Sequence, residues 1–227
     1  MSGYRRPDIP ARTFVDGAGS VIAYGSRWGG GSPPDDTYSV ISNPERFAPL
    51  HVVTDALIEW LAATYDVTVE DDLALAAELM HPQPDVVRAV RVAPRDDASA
   101  ALVLVFTAFP GVILHAGLLH DFGFPSCGCD ACDEIWAPCA DELEGTVARV
   151  VAGDYTERIR RDTELGLQYS LSGPGPGGRS GSTRFEGEPL ERIAAAESAL
   201  VHRPRWAPWQ TRSVCPVEGQ APAARRT

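Results

Sequence analysis

The segment Ala100–Leu119 (AALVLVFTAFPGVILHAGLL) constrains the fold more than any other part of this chain. An uncharged run of this length is about what a helix needs to cross a bilayer, roughly 20 residues. Pro110-Gly111 divides it in the middle, however, and this pair ends a helix and starts a turn. His115 interrupts the second half, and the flanks are acidic (Asp96, Asp97, Asp121), without the basic asymmetry of a membrane segment. The two halves therefore read as buried strands, Ala101–Phe106 and Val112–Leu118, joined at Phe109-Pro110-Gly111. With Val86–Val92, set off by an Asp96-Asp97 turn, they predict a central three-stranded antiparallel meander.

Helical patterns flank this meander. Leu50, Val53, Leu57 and Leu61 recur at helical spacing within a segment running from about Pro44 to Tyr65, where Pro49 either kinks the helix or delays its start. A shorter helix is predicted over Asp71–Met80, with Asp71 and Asp72 at its N-terminus. A third is predicted over about Pro138–Ala152 with Gly153 as its stop, and a last one over Pro189–Val201. Phe14–Tyr24 suits a short hairpin, and Tyr155–Arg161 with Leu165–Leu171 another. The Gly173–Gly178 run reads as a loop. The expected fold is α+β, a mostly antiparallel sheet (central meander plus later hairpin) covered by helices. Residues 1–12 are expected to be a flexible N-terminus, 13–201 a single domain, and 202–227 a basic tail carrying Trp206 and Trp209, which are expected to pack back on the domain.

Charge and residue usage exclude several functions. The net charge of -11 disfavours nucleic acid and anionic membranes as partners and suits a protein partner. All 20 basic residues are arginine. Without lysine there is no Schiff-base chemistry and no phosphate-binding loop of the Gly-Lys-Ser/Thr kind. No catalytic motif is recognisable: Ser, His and Asp occur, but no G-x-S-x-G context joins them. Glu70-Asp71-Asp72 reads as a solvated helix start rather than as a pair of acid/base carboxylates. No secretory signal is visible, so the expected compartment is the cytoplasm.

Cys127-Gly128-Cys129-Asp130-Ala131-Cys132 is the one cluster with chemical content. In a reducing compartment such thiols are metal ligands or free thiols rather than a disulfide framework. Three soft donors converge on one ion if the backbone turns at Gly128, and Cys129/Cys132 form the C-x2-C half of many zinc sites. Zinc is the cofactor this predicts, with Cys139, His120 or His115 as fourth ligand; metal-free structural cysteines are the plain alternative. From Asp121 to Glu144 there are 7 acids and no arginine. Carboxylates beside a thiol raise its pKa, an argument against a reactive thiolate and for a bound dication.

The stretch from Phe124 to Glu134, with its CGCDACDE core, resembles an uncharacterised actinobacterial domain family of unknown function. The segment Thr37–Tyr65 and the Trp206–Trp209 tail belong to the same resemblance, which implies a one-domain protein and no particular substrate or cofactor. The leading expectation is a non-enzymatic cytoplasmic protein with a structural zinc site that acts through protein-protein contacts. Two alternatives stand beside it: a zinc-dependent enzyme with an open metal position, and an acidic immunity-type or inhibitory protein that masks a basic partner.

Overall fold

In a computed structural model the run Leu102–Thr107 is buried along its whole length at the middle of an antiparallel sheet. The structure describes residues 3–161, 164–173, 178–203 and 205–213. In chain order the strands are β1 (Phe14–Val15), β2 (Val21–Ile22), β3 (Val67–Asp71), β4 (Val86–Pro94), β5 (Leu102–Thr107), β6 (Val112–Ala116), β7 (His120–Phe124), β8 (Tyr155–Arg161), β9 (Leu165–Leu171) and β10 (Arg179–Arg184). The helices are α1 (Pro49–Thr64), α2 (Trp136–Val151) and α3 (Leu190–Val201). β3 to β7 form one five-stranded sheet in sequence order, β8 to β10 a three-stranded sheet, and β1 and β2 a hairpin.

The period-2 geometry of β5 sorts its side chains between two cores. Leu102, Leu104 and Phe106 join Leu50, Val53, Leu57, Leu143 and Val147 beneath α1 and α2. Val103 and Val105 face the other way, onto Leu75 and Leu79. Burial on both faces explains why this strand is continuously apolar rather than alternating. The membrane-length run is thus β5 and β6, paired with Leu104 opposite Leu114. Among the described residues, no helix is long and apolar enough to cross a membrane.

The α+β class is as expected, but the sheet is wider than the expected meander. β7 extends it on one side and β3 on the other. The helix expected over Asp71–Met80 does not form. Val67-Thr68-Val69 pair with Val92–Pro94, and the chain then makes only a 3₁₀ turn, Leu73–Glu78, with the Asp72 carboxylate accepting from Ala74 N–H at 2.9 Å. Here pairing of β-branched residues overrides the helical signal of the alanines that follow. At α1, Pro49 delays the helix: a 3₁₀ turn over Pro44–Phe47 precedes it. The later hairpin acquires a third strand, β10, which the glycine- and serine-rich sequence conceals. Residues 174–177 of the glycine loop, and Cys215 in the tail, lie outside the described residues.

The described segments nearest the two termini pack on the helical core. Tyr4 meets Trp60 edge-on at 5.6 Å, and Arg6 pairs with Glu144 at 2.7 Å. Trp206 and Trp209 are buried; Trp209 donates from Nε1 to Ala100 O (2.9 Å) and from its backbone N–H to Val151 O (2.9 Å). The tail runs so close to the end of α2 that a Cβ on Gly153 would sit 2.7 Å from Pro208 N.

Candidate metal centre

The cysteines sit in the loop between β7 and α2, residues 125–135. Two local devices close this loop. Gly128 adopts φ 80°, a left-handed conformation in which a side chain would also strike Phe109 at 2.8 Å. The Glu134 carboxylate then reaches back and accepts the backbone N–H groups of Ser126 (3.1 Å), Cys127 (3.0 Å) and Gly128 (2.8 Å). The backbone donors of the first half of the loop are thereby satisfied by a side chain from its end.

The segment around residues 24–43 covers the loop from outside. Asp130 N–H donates to Val40 O and Ala131 N–H to Thr37 O, and Trp28 Nε1 donates to Ala131 O at 3.0 Å. Arg27 bonds the Asp133 carboxylate through Nε at 2.7 Å and also reaches Asp130 O. Arg46 is almost fully buried. It donates to Gly128 O at 2.7 Å and Glu134 O at 3.1 Å and lies 3.6 Å from the Asp130 carboxylate. Tyr24 and Phe47 stack against its guanidinium at 4.4 and 4.5 Å.

The result is a cluster of three thiols. Sγ of Cys127, Cys129 and Cys132 all lie within 4.8 Å of one another. Around tetrahedral zinc, with Zn–S about 2.3 Å, sulfurs stand about 3.8 Å apart, so closing on an ion needs rotamer adjustments of at most about an ångström. Cys129 is buried, and Cys127 and Cys132 are exposed. The Cys129 thiol is drawn down to about 7, first by the Cys132 backbone N–H, then by the Cys127 thiol, with Ser39 N–H adding to the effect. The Cys132 thiol is pushed up to about 12 by the hydrogen bonds it shares with Cys129 and then with Cys127. The thiols thus act on one another, and the hydrogen bonds that Cys132 and Cys127 supply favour the thiolate form of Cys129.

The acidic surroundings act differently from the expectation. The carboxylates of Asp130, Asp133 and Glu134 are occupied by Arg27, Arg46 and backbone N–H groups, and none is among the causes that shift Cys129 or Cys132. Acids do act at Cys139, whose thiol is pushed up to about 12 first by burial and then by Glu134 and Glu142.

None of the three residues expected as fourth ligand joins the sulfur cluster. Cys139 lies on the buried face of α2 among core residues such as Ala140 and Leu143. His115 on β6 bonds through Nδ1 to Asp121 Oδ1 at 2.6 Å, and Asp121 Oδ2 accepts from Met80 N–H at 2.7 Å. His120 on β7 stacks on Tyr169 with ring centroids 3.8 Å apart; burial drives its pKa down to about 4. The Glu70-Asp71-Asp72 triplet pairs with Arg91 and Arg88 and caps the 3₁₀ turn.

Two polar residues that pattern reading passed over are central to the packing. Arg46 holds the cysteine loop, and nothing in Pro44-Glu45-Arg46-Phe47 sets it apart from a surface arginine. Glu157 is a buried carboxylate on β8 that accepts N–H from Leu118 (3.1 Å), Leu119 (2.9 Å) and Trp206 Nε1 (3.3 Å); burial raises its pKa. Its position was legible: alternation along β8 puts Glu157 on the face of Tyr155.

The fold and the cluster together define an α+β protein with a surface loop of three converging thiols, suited to a soft or borderline cation. The chain belongs to the family of unknown function DUF6226, whose model matches residues 10–213. No curated protein and no solved structure matches it.

Proposed function

We propose that this protein binds a zinc ion through Cys127, Cys129 and Cys132, and that the ion fixes the loop between β7 and α2 to the segment over it. The observation that carries the reading is the convergence of three sulfurs within 4.8 Å at a loop held by Glu134 and Arg46. Thiolate donors favour zinc among the common divalent ions, and a loop closed by its own hydrogen bonds lowers the ordering cost of binding. The role is non-enzymatic and cytoplasmic: the ion shapes a surface that contacts another protein.

The absence of Cys139, His115 and His120 from the cluster also suits a zinc enzyme with an open coordination position. Against that stands the setting of the cluster. Clefts of about 610 Å³ beside β8–β10 and α3, and of about 710 Å³ beside β1 and β2, have no cluster cysteine in their walls. Elemental analysis of protein purified without added metal tests the reading. One zinc per chain, lost together with part of the thermal stability in Cys129→Ser, is the expected outcome. Metal-free protein whose stability is unchanged by Cys129→Ser refutes it.

A further inference from the structure

The fourth position of the ion has its own physical chemistry. Zinc in structural sites is almost always four-coordinate, and the usual sets are four Cys, three Cys with one His, or two of each. The described residues supply three sulfurs. The polar side chains nearest along the chain are committed elsewhere: Asp130 to Ser42 N–H and the two arginines, Asp133 to Arg27, Glu134 to three backbone N–H groups. Cys139 is held in the core, His115 by Asp121, and His120 by Tyr169. Two of the three sulfur-bearing residues, Cys127 and Cys132, are exposed, so their side of the cluster is open to solvent.

Charge selects what that position takes. Three thiolates around a dication leave one excess negative charge. Asp130, Asp133 and Glu134 against Arg27 and Arg46 leave another, in a chain of net charge -11. A further thiolate would add a third negative charge at a few ångströms, where like charges repel strongly even at protein-surface dielectric. A neutral nitrogen donor adds none and completes the three-Cys, one-His set.

We propose that the zinc ion on Cys127, Cys129 and Cys132 keeps an outward-facing fourth position that binds an imidazole, as the histidine side chain of a protein partner would present it. This rests on the zinc reading above and goes beyond it by naming the chemistry of the contact.

Cobalt(II) loaded into the full chain tests it, because its ligand-field absorption reports the donor set and its sulfur charge-transfer band reports retention of the thiolates. Imidazole is titrated in one arm and 2-mercaptoethanol in the other. The expected result is a saturable shift of the ligand-field bands with imidazole, at constant charge-transfer intensity and at a lower concentration than the thiol requires; Cys139→Ala behaves the same way. A four-sulfur spectrum before any addition, bands that imidazole leaves unmoved while cobalt stays bound, or a thiol response at lower concentration than the imidazole response each overturns the inference and leaves the zinc reading standing. Absence of any cobalt-thiolate band overturns both.

Discussion

Replacing Arg46 by methionine isolates what holds the cysteine loop. The side chain donates to Gly128 O, Glu134 O and Asn43 O and lies beside Asp130, with about 1% of its side-chain surface exposed. Methionine fills much of the same space but donates nothing. Loss of one member of a buried ion pair costs about 3–5 kcal/mol when its partner is stranded. Asp130 is not wholly stranded: Ser42 N–H remains at 3.2 Å and Arg27 at 3.8 Å, which places the charge contribution below that range. Two well-bonded loop carbonyls lose their donor, at about 1 kcal/mol each or more. The aromatic contacts to Tyr24 and Phe47 add up to about 2 kcal/mol in a desolvated setting. These effects overlap, and the expected total is about 3 kcal/mol, a large part of the roughly 5–15 kcal/mol that holds a domain together. In urea, with m of about 2 kcal/mol/M, the midpoint should fall by about 1.5 M at unchanged m. Arg46→Lys keeps the charge and loses the planar fork, and should fall between the two. A loss below about 1 kcal/mol for Arg46→Met would show that the arginine follows the loop rather than holding it.

Three further outcomes are expected. His120 is neutral in the fold: burial first, with Arg179 and His115 adding to it and Asp121 opposing, lowers its pKa from an ordinary 6.5 to about 4. The unfolded chain therefore binds the extra proton first, so stability is lost as pH falls from about 6.5 toward 4, by up to about 3 kcal/mol; His120→Phe should flatten this part of a stability-pH profile. Buried Glu157, with its raised pKa, slopes the opposite way, so the wild-type profile is the sum of both. Iodoacetamide should label exposed Cys127 ahead of Cys132, whose raised pKa keeps it a thiol, with zinc protecting both, while buried Cys139 reacts only on unfolding; peptide mass spectrometry reads the order. Gly128→Ala should cost about 1–3 kcal/mol in thermal or urea unfolding, since it forces a left-handed backbone and a clash with Phe109 together.

Elements whose signal lies in their own residues were legible in the sequence. The apolar halves around Pro110-Gly111 became β5 and β6, the Leu50/Val53/Leu57/Leu61 spacing became α1, and the pair of segments after Gly153 became β8 and β9. What escaped depends on neighbours. β7 carries Asp121 and Gly123 and is a strand because Val112–Ala116 offers it an edge. The Asp71–Met80 segment carries helix formers but follows a strand that consumes its first residue. At the candidate metal centre, the convergence of Cys127, Cys129 and Cys132 followed from the spacing and Gly128. The local charge balance did not, because the arginines that offset most of the loop's negative charge come from positions 27 and 46, about a hundred residues upstream. His115 and His120 stand apart from the sulfur cluster for a similar reason: their partners, Asp121 and Tyr169, are chosen by strand pairing and by the packing of the two sheets.

The indole of Trp28 hydrogen-bonds the carbonyl of Ala131, between Cys129 and Cys132, and Trp136 opens the helix directly after them. An ion held by these sulfurs would lie beside the peptide on which Trp28 rests. The emission of that indole therefore makes the molecule its own optical reporter. A chain reduced to Trp28 and Trp136, with the other three tryptophans changed to phenylalanine where stability permits, would follow occupancy of the loop in real time without an added dye.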